Sequence, residues 1–162
     1  MNNLILVRHG QSHWNKERRF TGWADIDLTE QGKSEAELAG KLIKEVNSKF
    51  DAYFTSVQKR AIHTIEIILD ILNKKNSKIK KAWELNERHY GALTGLNKDE
   101  MMKKHGEKQV HIWRRSFDVA PPPMEKTNPN HPSKNKAYIN IPTSKIPSCE
   151  SLKNTFERVM PY

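Results

Sequence analysis

The residues with the clearest chemical potential are Arg8, His9 and Gly10, which follow directly on an apolar run. Neutral imidazole is a good nucleophile toward phosphorus, and an adjacent guanidinium can neutralise phosphoryl oxygens without losing its own proton. A glycine beside them permits close approach of the backbone to a bound group. A lone triplet is a weak signal, because a single histidine is more often structural. At the end of a buried strand, however, it favours phosphoryl transfer with His9 as nucleophile.

Alternating elements in the first half of the chain would position His9. Apolar runs predict strands, and apolar residues spaced three and four apart predict amphipathic helices. The predicted elements are a strand at 4–7, a helix capped by Thr29 that runs to about Lys49, a strand at 52–55, a helix at 61–72 and a strand at 79–85.

This β-α-β-α-β order predicts an α/β fold with a parallel sheet and right-handed crossovers. In such sheets, ligands bind at the carboxyl ends of the strands. His9 follows the first predicted strand, and residues 56–60 follow the second. We therefore expect these two segments to meet in one site, although they are far apart in the sequence.

The second half of the chain is less regular. Short helices are predicted near 98–105 and 107–115. Residues 117–149 contain seven of the eight prolines and almost no periodicity, and a loop of this length is either functional or disordered. A last helix is predicted over 150–160, with Ser148 as a candidate cap.

Composition excludes several classes of protein. The chain has 162 residues and one cysteine, Cys149, so an internal disulfide and a cysteine-based zinc site are excluded. No apolar window approaches the length of a membrane span. The N-terminus lacks the basic region of a signal peptide, and we expect a cytoplasmic protein.

The net charge of +9 is open to three interpretations. The basic residues are spread evenly, without the clustered face that nucleic-acid binding needs, which makes that interpretation the weakest. Most of the basic residues are lysine, which is typical of a solvated surface, and this favours compositional drift as the first interpretation. The eight arginines point instead to an anionic small substrate, because guanidinium binds phosphate in a bidentate manner.

Longer motifs give a specific resemblance that covers residues 4–162. They are Arg8-His9-Gly10-Gln11-Ser12, Trp14-Asn15, Phe20-Thr21-Gly22-Trp23, Leu28-Thr29-Glu30-Gln31-Gly32, Thr55-Ser56, Lys59-Arg60-Ala61-Ile62-His63-Thr64, Leu85-Asn86-Glu87-Arg88-His89-Tyr90-Gly91, Leu96-Asn97-Lys98, Trp113-Arg114-Arg115-Ser116-Phe117, Glu150-Ser151-Leu152, Arg158-Val159 and Pro161-Tyr162. In this order they resemble the cofactor-dependent phosphoglycerate mutases, the mutase branch of the histidine phosphatase superfamily.

The resemblance implies a role for each matching residue. His9 resembles the nucleophile that becomes phosphohistidine, Arg8 and Arg60 resemble the arginines that hold the transferring group, and Glu87 resembles the general acid and base. The residues that resemble the wall of the phosphoryl site are Gly10, Gln11, Ser12, His13, Trp14, Asn15, Thr21 and Gly22. Those that resemble the clamp on the substrate carboxylate and second phosphate are Tyr90, Lys98, Arg114 and Arg115, and Arg88 and His89 fall in the same binding segment.

Four of these positions have an alternative interpretation. Arg88 beside Glu87 could be a surface ion pair, worth under about 1 kcal/mol. His89, like His63, His105, His111 and His131, lies in no ligand spacing and could be a structural or surface histidine. Arg114-Arg115 could likewise be a solvated helix face.

The implied activity is a 2,3-bisphosphoglycerate-dependent phosphoglycerate mutase of glycolysis and gluconeogenesis. It would interconvert 3- and 2-phosphoglycerate, with 2,3-bisphosphoglycerate as phosphoryl donor and no metal. The implied partners are a small phosphorylated carboxylate and other copies of the chain, in a homodimer or larger oligomer, and neither nucleic acid nor membrane. The alternatives are a broad phosphomonoesterase on the same scaffold, and a non-catalytic anion-binding remnant.

The sequence departs from the family pattern in two respects. Gln11 stands where many relatives carry glutamate, and we expect little loss because the amide can still hydrogen-bond. The family's second His-Gly-Asn motif, on a strand that follows Pro161-Tyr162 in relatives, is absent from the 162 residues. The resemblance therefore implies one mutase-like domain over 1–162, a three-layer α/β sandwich without its C-terminal strand and helices, and impaired activity.

Overall fold

The computed structural model describes residues 4–46 and 49–162. The chain forms two compact units, and each is discontinuous in sequence. The first comprises Met1–His13 and Ile26–Ala82, and the second comprises Trp14–Asp25 and Trp83–Tyr162. In the described ranges, no helix has the length and apolar character needed to cross a bilayer.

Apart from the first strand, the predicted helices and strands occur in the predicted order, and the short first helix lies in a segment where no helix is predicted. The helices are α1 (His13–Lys16), α2 (Glu30–Glu45), α3 (Lys59–Ile71), α4 (Lys98–His105), α5 (Glu107–Arg115) and α6 (Leu152–Val159), and the strands are β1 (Tyr53–Thr55) and β2 (Ile79–Lys81). Short 3-10 turns occur at Trp83–Leu85, Gly91–Leu93, Pro132–Lys134, Lys136–Tyr138 and Thr143–Lys145.

The sheet of the first unit consists of β1 and β2, paired in parallel with Tyr53 opposite Ile79. This confirms the predicted α/β class with a parallel sheet. The third predicted strand, 79–85, is shorter than expected, because the chain turns into a 3-10 helix at Trp83.

The prediction of a buried first strand at residues 4–7 is wrong. This segment has no strand geometry, and Leu4 and Leu6 are 81% and 85% exposed. An apolar run becomes a strand only when a neighbour pairs with its backbone, and the sheet in the described part of the chain has two other strands only. His9 therefore follows a mostly exposed segment without regular secondary structure.

Helices α2 and α3 pack against each other beside the sheet. Gly40 permits their close approach, because a Cβ there would lie 3.0 Å from Cβ of Ile71. Thr29 caps α2 as predicted, with its hydroxyl accepting from the Gly32 amide at 3.1 Å. The helix ends earlier than the predicted Lys49, at Glu45, and residues 47 and 48 lie outside the described ranges.

The second unit has its own core. Phe20, Leu93, Met101 and Val110 are buried together, with Tyr90, Met102 and Trp113 packed around them. Helices α4 and α5 match the predicted spans 98–105 and 107–115. Asn97 starts α4 by accepting from the amides of Asp99 and Glu100 at 2.8 and 3.2 Å.

The proline-rich segment 117–149 is anchored to the core of the second unit. Tyr138 is buried, and its ring centre lies 5.1 Å from that of Trp23, with the two rings tilted. Its hydroxyl donates to the Trp23 carbonyl at 2.7 Å. The helix that follows is capped by Ser151 and not by Ser148. Ser151 forms a capping box with Asn154, whereas the carbonyl of Ser148 accepts from the Met124 amide.

Candidate active site

In the first unit, the ring of His9 is fixed in one tautomer. Nδ1 lies 2.6 Å from the carbonyl oxygen of Gly10, and Nε2 lies 3.3 Å from Nε of Arg60. A carbonyl can only accept, so Nδ1 carries the proton. Arg60 can only donate, so Nε2 carries the lone pair. Nε2 is therefore the atom available for attack on phosphorus.

The surroundings of His9 keep the imidazole neutral. Burial, together with the charges of Arg60 and Arg8, lowers its pKa to about 4, against the opposing effects of the Gly10 carbonyl and Glu35. A neutral imidazole at physiological pH is the nucleophilic form. Arg8 itself is exposed and acts on His9 through its charge.

Arg60 is fully buried in the first turn of α3. Its Nη2 donates to Oε1 of Gln58 at 2.9 Å, which fixes the guanidinium next to His9. Thr64, one turn further along α3, accepts from the amide of Gly10 at 3.3 Å. The structure thus brings the two segments that were expected to meet, residues 8–10 and 56–60, to the N-terminal end of α3, where the helix dipole favours an anion.

The turn after His9 is held against the first turns of α2. The side chain of Gln11 accepts at Oε1 from the Thr29 hydroxyl at 2.9 Å. The backbone amide of Gln11 donates to the Glu35 carboxylate at 2.8 Å. A Cβ on Gly10 would lie 2.1 Å from the carbonyl oxygen of Gly32, so the two backbones are in direct contact. The side chain of Gln11 is thereby turned toward α2. Ser12 is fully buried beyond it, and His13 is exposed at the start of α1.

Sequence reasoning missed Glu35. It contributes a negative charge near His9 and a carboxylate that binds the Gln11 amide. It lies on the exposed face of α2, where periodicity predicts a solvated residue. Only the tertiary contact between α2 and the His9 turn reveals its role.

In the second unit, Arg88 is buried, which excludes a surface ion pair with Glu87. Its Nη2 donates to the carbonyl of Arg114 at 2.8 Å, and its guanidinium lies 4.8 Å from the centre of the Tyr90 ring. Its Nη1 is buried and has no hydrogen-bond partner among the described residues. The half-buried Glu87 precedes it in the chain.

Gly22 is a glycine for conformational and steric reasons. It has φ of +54°, and a Cβ there would lie 3.0 Å from the Tyr90 amide and 3.2 Å from the Arg88 carbonyl. The hydroxyl of the preceding Thr21 is buried without a partner in the described ranges.

The remaining predicted binding residues also lie in the second unit. Lys98 lies over the Phe20 ring, at 5.8 Å from its centre, and Arg114 and Arg115 end α5. Trp14 approaches Gly95, where a Cβ would lie 3.4 Å from the indole. Trp14 and Asn15 form part of α1.

His89 is a fully buried histidine with a structural contact. Its Nδ1 accepts from the Gly91 amide at 2.9 Å, so Nε2 carries the proton, and Nε2 has no partner among the described residues. The ring packs 5.9 Å from Trp23. Burial lowers the pKa of His89 to about 4, with smaller contributions from the charges of His131 and Arg158.

The buried His89 predicts a loss of stability in acid. Between pH 6.5 and about 4 the unfolded chain protonates this histidine and the folded chain does not, so the free energy of unfolding falls as the pH falls. The contribution is up to about 3 kcal/mol, from about 1.4 kcal/mol per pKa unit. In His89→Asn the amide oxygen can still accept from Gly91, and we expect a shallower pH dependence in urea unfolding from about pH 7 to about pH 4.

The exposed His111 provides the control, because His111→Asn should keep the wild-type pH dependence. His9 also has a lowered pKa, so some acid sensitivity is expected to remain in His89→Asn. Equal slopes for wild type and His89→Asn would show that His89 is not the source of the effect.

The described residues contain no group of three or more histidine, cysteine or acidic side chains placed to hold a metal ion. The buried guanidinium of Arg60 beside His9 suits an anion.

Comparisons with known proteins agree with this chemistry. Residues 4–131 match the model of the histidine phosphatase superfamily (branch 1). The chain is 55% identical over 162 residues to a 2,3-bisphosphoglycerate-dependent phosphoglycerate mutase of Hydrogenobaculum sp. (strain Y04AAS1). This match covers all of the present chain and 66% of that protein. The chain is 56% identical over 162 residues to the protein of the same name from Pelagibacter ubique (strain HTCC1062), of which it covers 68%.

Among solved structures, the phosphoglycerate mutase from Bacillus anthracis str. Sterne is similar with a TM-score of 0.59 and 26% identity. That match covers 68% of this chain and 50% of the other. The chain thus spans about two thirds of the length of the curated relatives that it matches.

Proposed function

This chain belongs to the histidine phosphatase superfamily (branch 1), and from that membership we propose that it acts as a 2,3-bisphosphoglycerate-dependent phosphoglycerate mutase. The observation that carries the proposal is the state of His9, a neutral imidazole with the lone pair of Nε2 facing a buried arginine. The names of the relatives above supply the substrate class, which is phosphoglycerate.

In the proposed reaction His9 accepts and returns one phosphoryl group. Its Nε2 forms a bond to phosphorus as the phosphorus–oxygen bond of the donor breaks. Arg60 and Arg8 neutralise the charge on the phosphoryl oxygens, which is the main requirement of phosphoryl transfer. Glu87 donates a proton to the departing substrate oxygen, and takes one from the attacking hydroxyl in the return step.

The residues fit 2,3-bisphosphoglycerate, which when bound supplies the phosphoryl group that primes His9. Arg60 and the N-terminal end of α3 suit one phosphate. In the second unit, the buried Nη1 of Arg88 and the hydroxyl of Thr21 are polar groups whose hydrogen bonds remain to be satisfied, and an anion would do so. We propose that Tyr90, Lys98, Arg114 and Arg115 hold the carboxylate and the second phosphate.

The proposal is tested by supplying 3-phosphoglycerate with a catalytic amount of 2,3-bisphosphoglycerate. We expect 2-phosphoglycerate to form faster than inorganic phosphate, and the rate to depend on the bisphosphoglycerate. The matched control omits the bisphosphoglycerate. Inorganic phosphate as the main product would favour a phosphomonoesterase, and ligand binding without turnover would favour an anion-binding role.

A further inference from the structure

A buried ion pair joins Glu150 to Arg158 in the second unit. Nε of Arg158 donates to Oε1 of Glu150 at 2.6 Å, and Nη2 donates to Oε2 at 2.8 Å. The two side chains are 4% and 8% exposed. Burying such a pair costs desolvation energy, and apolar side chains of the same volume often stabilise a fold as well or better. The pair therefore needs an explanation besides stability.

The other donors of Arg158 converge on the backbone that leads to Glu87. Nη1 donates to the carbonyl of Glu84 at 2.7 Å and to that of Asn86 at 3.2 Å. A longer contact of 3.5 Å joins Nη2 to the carbonyl of Glu87 itself. The guanidinium also lies 5.4 Å from the centre of the Trp23 ring, which fixes its plane.

Glu150 holds the backbone on the other side of Glu87. Its Oε2 accepts from the amide of His89 at 2.8 Å, and its own amide donates to the His89 carbonyl at 2.9 Å. One ion pair thus binds the chain before and after Glu87. The backbone at Glu87 cannot shift without breaking a buried, charge-assisted hydrogen bond.

We propose that Glu150 and Arg158 are positioning residues that set the placement of Glu87 for proton transfer. The inference rests on the proposed function, which assigns Glu87 as general acid and base. A proton donor must lie within hydrogen-bond reach of the substrate oxygen. An ion pair that holds the backbone before and after Glu87 therefore affects catalysis through the position of Glu87. Neither residue is required to touch the substrate.

Leaving groups of different basicity test this inference. An alkyl oxygen needs a proton as it departs, whereas the p-nitrophenyl group leaves as the stable p-nitrophenolate anion without one. Loss of the acid should therefore slow phosphoryl transfer to His9 from 2,3-bisphosphoglycerate, an alkyl ester, and spare transfer from p-nitrophenyl phosphate. Glu87→Gln gives the reference pattern, with a loss on the alkyl ester of about 10²-fold or more.

The test variants are Arg158→Lys and Glu150→Gln, and the control is Glu157→Gln, an exposed neighbour on α6. Arg158→Lys keeps the positive charge but loses the guanidinium Nη1 that donates to the carbonyls of Glu84 and Asn86. Glu150→Gln keeps an acceptor for the His89 amide and disturbs the fold less. We expect both to lose about 10- to 100-fold on the alkyl ester and under about 3-fold on the aryl ester. Glu157→Gln should match wild type on both.

Each outcome decides a separate claim. If Glu87→Gln loses activity equally on the two esters, the assignment of Glu87 fails, and the positioning inference fails with it. If Glu87→Gln discriminates between the esters but the folded Glu150→Gln and Arg158→Lys proteins do not, Glu87 stands and the positioning inference is overturned. Circular dichroism establishes that the variants are folded.

Discussion

His9→Asn is expected to abolish covalent phosphorylation and to lower the rate of phosphoryl exchange by on the order of 10⁶-fold, as removal of another catalytic nucleophile does. The substitution removes Nε2, which carries the lone pair facing Arg60. The asparagine amide can still donate to the Gly10 carbonyl, as Nδ1 does in the native protein. The fold should therefore survive, and the loss should be chemical.

The measurement is uptake of radioactive phosphate from labelled 2,3-bisphosphoglycerate, followed by acid treatment. Phosphohistidine is acid-labile, whereas a phosphate ester on serine or threonine is not. His111→Asn is the control, because His111 is an exposed histidine on α5 and should keep full labelling. Acid-labile label that persists in His9→Asn would mean that another residue is the nucleophile.

Gly32→Ala is expected to destabilise the protein by about 3 kcal/mol, at the upper end of the usual cost of overpacking. Helix propensity alone predicts the opposite sign, since alanine is favoured over glycine in helices by up to about 1 kcal/mol. The reason for the reversal is local. A Cβ on Gly32 would lie 2.1 Å from the carbonyl oxygen of Gln11, and backbone cannot swing aside as a flexible side chain can.

The same substitution should also reduce activity, because pushing Gln11 away from α2 moves the turn that carries His9. A displacement of about 1 Å at a reacting group can cost about 10²-fold in rate. Urea unfolding and the exchange assay measure the two effects. Lys33→Ala is the control, since this exposed neighbour forms a surface ion pair with Glu30 and should change stability by under about 1 kcal/mol. A Gly32→Ala protein as stable as wild type would disprove the close contact.

The sequence predicted the helices well because their signals are local. The apolar spacing of α3, the Thr29 cap of α2 and the two short spans of α4 and α5 all depend on nearby residues. The strand at residues 4–7 failed because strand formation depends on a pairing partner elsewhere in the chain. The local signals that favour a serine cap apply to Ser148 and Ser151 alike, and only the start of α6 at Leu152 decides between them.

The site was predictable where topology or family motif pointed to it. The order of strands and helices brought residues 8–10 and 56–60 together, and His9 and Arg60 do meet. Glu35 was missed because its partner, the Gln11 amide, lies on another element. Glu150 and Arg158 appear in matching motifs, but no pattern in the sequence shows that they hold the backbone beside Glu87.

The interleaving of the two units has a consequence for synthesis on the ribosome. Residues 14–25 belong to the second unit but are translated before most of the first. Trp23 is 1% exposed in the folded protein, and it binds Tyr138, which lies 115 residues later. At about 5–20 residues per second, Trp23 waits about 6–23 s for this partner to be made. Until Tyr138 is made, the nascent chain lacks this partner for Trp23, and a chaperone that binds aromatic segments would find a target at residues 20–23.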